Sequence, residues 1–230
     1  MLSDQLHPIP NAIERKLDME HIEYVNKTQI KNEQWQEAAN LIAKAIPNAI
    51  ISKLGVKFNT IFYRSIAQHE CSCAFLAHDP SGYSLGIIIG TLDRPFVYAA
   101  AVKNNISKLI LAANFRIVRP AVIQWTIKGI LNKFSRKKKE EVSNRPLAEL
   151  IVIAVQPEAR GSGVAANLVT LMEKWMKSKC LEGPYTILTE KSNARSNKFY
   201  AKIGSHFVGI TLHHGREINE WHKALGDDGN

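Results

Sequence analysis

The sequence predicts an α/β (α+β) fold, a mixed central sheet of about seven strands flanked by helices. Three observations carry that prediction. First, the uncharged apolar run at 150–155 passes through a Pro-, Arg- and Gly-containing turn straight into apolar residues at helical spacing, which reads as strand, turn, helix. Second, shorter runs rich in β-branched and aromatic residues lie on either side of it, bounded by Gly, Pro or Asn. Third, hydrophobic residues make up 45% and charged residues 22% of the 230, enough for one full core in a single domain spanning 1–230.

In chain order, residues 22–28 alternate well enough for a first strand. Trp35, Ala38, Ala39, Leu41 and Ile42 then fall on one helical face, with Asn32 as the expected cap. Pro47 ends that helix, and a second follows. Residues 71–79 and 83–93, separated by Pro80-Ser81-Gly82, read as a β-hairpin. The strand at 149–155 and its helix, to about Cys180, come next. Residues 184–190 read as a strand and 192–204 as a short helix with Ser192 or Asn193 near its start. Residues 206–214 and 217–225 close the chain as an antiparallel pair, with Gly215 in the turn.

Between the third and fourth strands lies a basic helical insertion at about 94–146. Residues 94–145 hold twelve Lys or Arg against two acids, Glu140 and Glu141, so this segment accounts for the whole net charge of +9. Within 120–134, Ile123, Ile127, Ile130, Leu131 and Phe134 share one helical face, with Lys128 and Lys133 elsewhere. Such a helix packs on the domain's own core, docks a partner or an anionic membrane surface, or frames a site for an anionic acceptor. The run at 136–141 has no interleaved aromatics, which argues against nucleic acid.

The N-terminus lacks the apolar core of a signal peptide, and no run reaches the length of a membrane span. Cys71, Cys73 and Cys180 form no disulfide framework and have no His at metal-ligand spacing. A cytoplasmic protein with reduced thiols and no metal is therefore expected, with a homodimer left open.

The turn at 155–165 carries the chemistry. A glycine turn opening a helix offers backbone N–H groups and the positive end of a dipole to an anion. It is also what any tight strand–helix connection needs, and the glycines alone leave both readings open. The spacing is neither a dinucleotide fingerprint nor a P-loop.

Val155, Pro157, Arg160, Gly161, Gly163 and Ala165, following an apolar strand, resemble the acetyl-CoA signature of the GCN5-related N-acetyltransferases (GNATs). That pattern is Arg or Gln, two residues, Gly, one residue, then Gly or Ala; Arg160, Gly163 and Ala165 fill it. About thirty residues on, Asn193 to Gly204 resembles the family's Asn…Tyr-x-x-x-Gly-Phe segment. Ser205-His206-Phe207 replaces the immediate Gly-Phe.

The resemblance implies acetyl-CoA as cosubstrate, cradled by the backbone of Val155, Gln156, Arg160, Gly161, Ser162, Gly163, Val164 and Ala165. Ala165 would let the helix pack close, and Asn193 would contact the pantetheine arm beside a splayed strand. It implies Tyr200 as proton donor to the thiolate and the Val155 N–H as oxyanion donor. Glu149 and Glu190 are the candidate bases, since acetyl transfer needs a neutral amine; His213 and His214 are weaker candidates. The implied activity is acetyl transfer by direct attack to an amine of an unidentified small molecule, and the basic insertion at 94–146, beside the acceptor side of the cleft, points to an anionic one. The alternatives are a protein N-acetyltransferase, or a non-catalytic acyl-CoA-binding module docking a partner or membrane surface through 94–146.

Overall fold

The computed structural model describes residues 21–113, 145–213 and 215–225. The expected helix at 120–134, with Lys128 and Lys133, lies outside these residues, as do the N-terminal segment and His214.

Seven strands form one sheet: β1 (Glu23–Asn26), β2 (Ser72–His78), β3 (Ser84–Thr91), β4 (Glu149–Val155), β5 (Tyr185–Glu190), β6 (His206–His213) and β7 (Arg216–Lys223). Their order is β1-β2-β3-β4-β5-β7-β6. Every neighbouring pair is antiparallel except β4 and β5, so the sheet is mixed. Parallel neighbours need a long crossover, here supplied by helix α5 (Val164–Ser178). The other helices are α1 (Asn32–Ala45), α2 (Ile50–Lys53), α3 (Val56–Gln68), α4 (Arg94–Ala113) and α6 (Ala194–Lys202).

The apolar stripe read for α1 is buried throughout, from Trp35 to Ile42. Its start differs from expectation. Lys31 is the cap residue, and Gln34 Oε1 accepts the Lys31 backbone N–H at 3.0 Å. Asn32 is the first helical residue, and its side chain accepts from Arg64 of α3 at 2.6 Å. A cross-helix contact took the side chain that the sequence offered as a cap.

Strand β3 is buried along its whole length, and its alternation explains why the run carries no charge. Ile87 and Ile89 face a core built with α1, α3 and the buried positions Val97, Ala101 and Leu109 of α4. Leu85 and Ile88 face the core under α5. There Val164, Leu168, Val169, Met172 and Met176 are buried, each of the larger ones contributing roughly 1.5–3 kcal/mol. The close approach of α5 to the sheet rests on two glycines of β3. A Cβ on Gly90 would lie 2.6 Å from Met172 Sδ, and one on Gly86 would lie 3.1 Å from Val164 Cγ1. Ala165, expected to fill that role, is half-buried in the first turn of α5.

Candidate active site

The site begins with a break in the sheet. Strand β4 pairs with β5 only at Glu149 and Leu150. The register against β3 slips there: Ile89 faces Val152 and Gly90 faces Leu150, leaving Ile151 as the extra residue of a bulge. Before the bulge, β5 still reaches the neighbouring strand segment, with Thr186 N–H donating to Ala148 O at 2.9 Å. Beyond it, Gln156 N–H turns to β3 and donates to Leu85 O at 2.8 Å. Backbone direction alternates along a strand, so the N–H and C=O of Val155 face the opposite side, where β5 has splayed away. Arg160 Nε donates to that Val155 carbonyl at 3.3 Å. Beyond Leu150 this edge of β4 is free of β5, and the Val155 N–H faces the opening.

The turn after β4 runs through a short 3₁₀ helix (Pro157–Ala159) to Gly161 and Gly163, whose φ values are +86° and +90°. Only glycine adopts such angles without strain, and no atom lies within 4 Å of a Cβ placed on either one. The first backbone hydrogen bond of α5 runs from Asn167 N–H to Gly163 O. The amides of Val164, Ala165 and Ala166 therefore project from the helix end toward the turn. Open space, glycine backbone and free amides suit a pyrophosphate.

Two cavities flank the splay. The first, of about 460 Å³, is lined by Val155, Arg160, Gly161, Gly163, Val164 and Ala165 on one wall. Helix α6 supplies the other wall, including Arg195 and Lys202, two cations that the sequence reading did not single out. Gln156 and Ser162 bond locally. The Gln156 N–H is spent on β3 and its side-chain amide donates to Ser84 O at 3.4 Å; the Ser162 hydroxyl donates to Ala159 O at 2.7 Å. Neither lines the cleft.

The second cavity, of about 330 Å³, holds both candidate bases, Glu149 and Glu190, together with Arg94, Arg216, Tyr63 and Tyr98. The two cavities share Ala45, Ile153, Asn193, Ser196 and Tyr200, so they adjoin at the splay. Asn193 caps α6, its side chain accepting from Ser196 N–H at 3.1 Å. Tyr200 is buried, and burial pushes its hydroxyl well above the usual tyrosine range. No hydrogen bond engages that hydroxyl among the described residues.

Glu149 is not the solvated strand-end carboxylate that its position in the sequence allowed. It is 5% exposed. Burial raises its pKa, against the opposing pull of Arg94, whose Nη1 lies 3.5 Å from Oε2. Glu190 pairs with Arg216 Nη1. Arg94 and Arg216 were not legible as site residues, because each reaches the cavity from an element far away in the chain. No cysteine lines either cavity, and burial pushes Cys73 up to about 12.

Residues 129–204, which contain the bulged strand, the glycine turn and α6, match the sequence profile of the acetyltransferase (GNAT) family. That match spans about a third of the chain. The chain's fold is also shared by solved structures of low sequence identity. The crystal structure of SsHAT gives a TM-score of 0.61 at 16% identity, over 90% of this chain and 100% of that one. An N-acetyltransferase from Staphylococcus aureus Mu50 gives 0.54 at 15% identity, over 90% and 99%. The NatC complex bound to Gag peptide and CoA gives 0.54 at 14%, again over 90% and 99%. At such identities the likeness is one of fold. No functionally curated protein matches the chain in sequence.

The described residues contain no group of three or more His, Cys, Asp or Glu that could hold a metal ion. No helix among them is long and apolar enough to cross a membrane.

Proposed function

We propose that the protein transfers the acetyl group of acetyl-CoA to the amine of a small-molecule acceptor, by direct attack. The observation that carries this reading is the meeting of two cavities at Tyr200, one backed by the glycine turn and the other by the carboxylates of Glu149, which is buried, and Glu190, which is half-buried.

Acetyl-CoA supplies the acetyl group and a thiol leaving group. The amides at the start of α5 would hold its pyrophosphate, with Arg195 and Lys202 adding positive charge along the cleft. The Val155 N–H faces the opening as an oxyanion donor. As the new C–N bond forms and the C–S bond breaks, Tyr200 gives its proton to the departing sulfur. A raised tyrosine pKa keeps that proton in place until the thiolate appears. Glu149 takes the proton lost by the amine, and its raised pKa brings it nearer the pH at which a base works well. The absence of a cysteine from both cavities supports direct transfer over an acyl-enzyme.

A cavity of about 330 Å³ has room for a small acceptor. The deciding assay is CoA release with a panel of amines and N-terminal peptides, on wild type and Tyr200→Phe. Loss of about a hundredfold in kcat in the variant, with acetyl-CoA binding retained, is the expected result. Equal turnover by both would remove Tyr200 from the chemistry. Binding of acetyl-CoA without turnover of any amine or peptide would favour a non-catalytic acyl-CoA-binding module.

A further inference from the structure

We propose that Arg94 and Arg216 form an anion-recognising pair in the acceptor cavity, so that the preferred acceptor is an amine that also bears a carboxylate or phosphate. This rests on the acetyl-transfer reading of the same site. Arg94 opens α4 and Arg216 opens β7, yet both line the cavity of about 330 Å³. Each is held by one carboxylate through one nitrogen: Arg94 Nη1 by Glu149, Arg216 Nη1 by Glu190. Arg94 is restrained a second time, its guanidinium carbon 5.6 Å from the ring centre of Tyr98.

A guanidinium carries five N–H donors in a rigid fork. Among the described residues no further acceptor engages either arginine, so each keeps donors for a ligand. Exposure points the same way. The Arg94 side chain is 33% exposed against 6% for Glu149, and Arg216 is 33% exposed against 27% for Glu190. At the Arg94 pair the guanidinium is much the more exposed partner, at the Arg216 pair the two are nearly equal, and the glutamates act as anchors that fix the forks in place. A fixed fork loses less side-chain freedom on gripping a carboxylate or phosphate.

The attacking amine must be neutral, so its own charge cannot be what the site grips. A second, anionic group gives the acceptor a handle that survives deprotonation of the amine.

The test is isothermal titration of three short amines, ethanolamine, β-alanine and phosphoethanolamine, into protein saturated with CoA, which binds without reacting. Wild type is expected to bind at least one anionic amine about tenfold or more tighter than ethanolamine. Arg94→Gln and Arg216→Gln should each remove most of that preference, and Arg216→Lys should restore part of it. A CoA-induced thermal shift in every variant shows that the fold has survived. Tighter β-alanine names a carboxylate, and tighter phosphoethanolamine a phosphate. Equal binding of all three, binding of none, or a preference undiminished in both Gln variants overturns the proposal. Turnover with acetyl-CoA separates the two levels. An anionic amine bound with preference but never acetylated sinks the transfer reading alone, whereas acetylation without preference sinks the arginine pair alone.

Discussion

The indole Nε1 of Trp221 donates to Asn197 Oδ1 at 3.2 Å, tying helix α6 to strand β7 beneath the site. Asn219 Nδ2 donates to the same oxygen at 3.0 Å. The Asn197 amide in turn reaches the carbonyls of Glu190, Lys191 and Asn193, at 3.0, 3.2 and 2.9 Å. One side chain thus holds the end of β5, which bears Glu190, against the start of α6, which bears Asn193. Replacement by Ala would leave several half-buried polar groups unpaired. Asn197→Ala is expected to cost about 2 kcal/mol or more in urea unfolding. A cost within about 0.5 kcal/mol, the range of an ordinary surface substitution, would show the network to be idle.

Gly163 caps α5 at a φ of +90° in open space. Glutamate there meets the left-handed strain of any L-residue, about 1–2 kcal/mol, and adds a negative charge where a pyrophosphate would sit. Wild type is expected to gain about 2.7 kcal/mol from acetyl-CoA at a hundredfold its dissociation constant. Gly163→Glu should lose that gain by more than the strain alone predicts, as read by thermal shift with and without ligand. An equal ligand shift in both proteins would move the phosphate site elsewhere.

Gly90 tests the packing beneath the splay. A Cβ there would stand 2.6 Å from Met172 Sδ and 2.8 Å from Met172 Cγ. Methionine is flexible and yields a little, whereas a branched side chain demands more. Gly90→Val is expected to destabilise by about 1–3 kcal/mol, measured by denaturant unfolding. A neutral result would mean that α5 can slide on the sheet.

Glu149 sets a pH dependence with a definite sign. Its pKa in the fold is raised above the ordinary 4.5 by burial, against Arg94. The folded protein then binds this proton more tightly than the unfolded chain, so its contribution to stability falls as pH rises from 4.5 through the raised value. Glu149→Gln stays neutral throughout. The stability difference between variant and wild type should therefore shift toward the variant as pH rises above 4.5, although the lost partner of Arg94 offsets part of it. A difference flat across that range would mean that the carboxyl titrates normally. Glu220 has the opposite sign. Burial pulls it upward, but hydrogen bonds from Arg145 and His222 outweigh this and hold it low.

Much of the fold was legible because its signals are local. The strand at Glu149–Val155, the glycine turn and α5 follow one another within about thirty residues, and each declares itself by period, glycine or apolar face. The Asn193 cap and the β6–β7 pair were readable for the same reason. The candidates Tyr200, Glu149, Glu190 and Asn193 do meet at one place, which their order along the chain suggested only through the resemblance.

What the tertiary structure alone decided involves partners far apart in sequence. The bulge at Ile151 depends on register with β3, and that register turns the Val155 N–H into the opening while committing Gln156 to Leu85. Glu149 reads as an exposed strand end until α4 brings Arg94 over it. Arg216 becomes a cavity residue only because β7 inserts between β5 and β6. Periodicity along the chain reports which face of an element is apolar. Which charged side chain is laid against another across a cavity depends on strand order and register, and those are set by packing between elements that the linear sequence keeps apart.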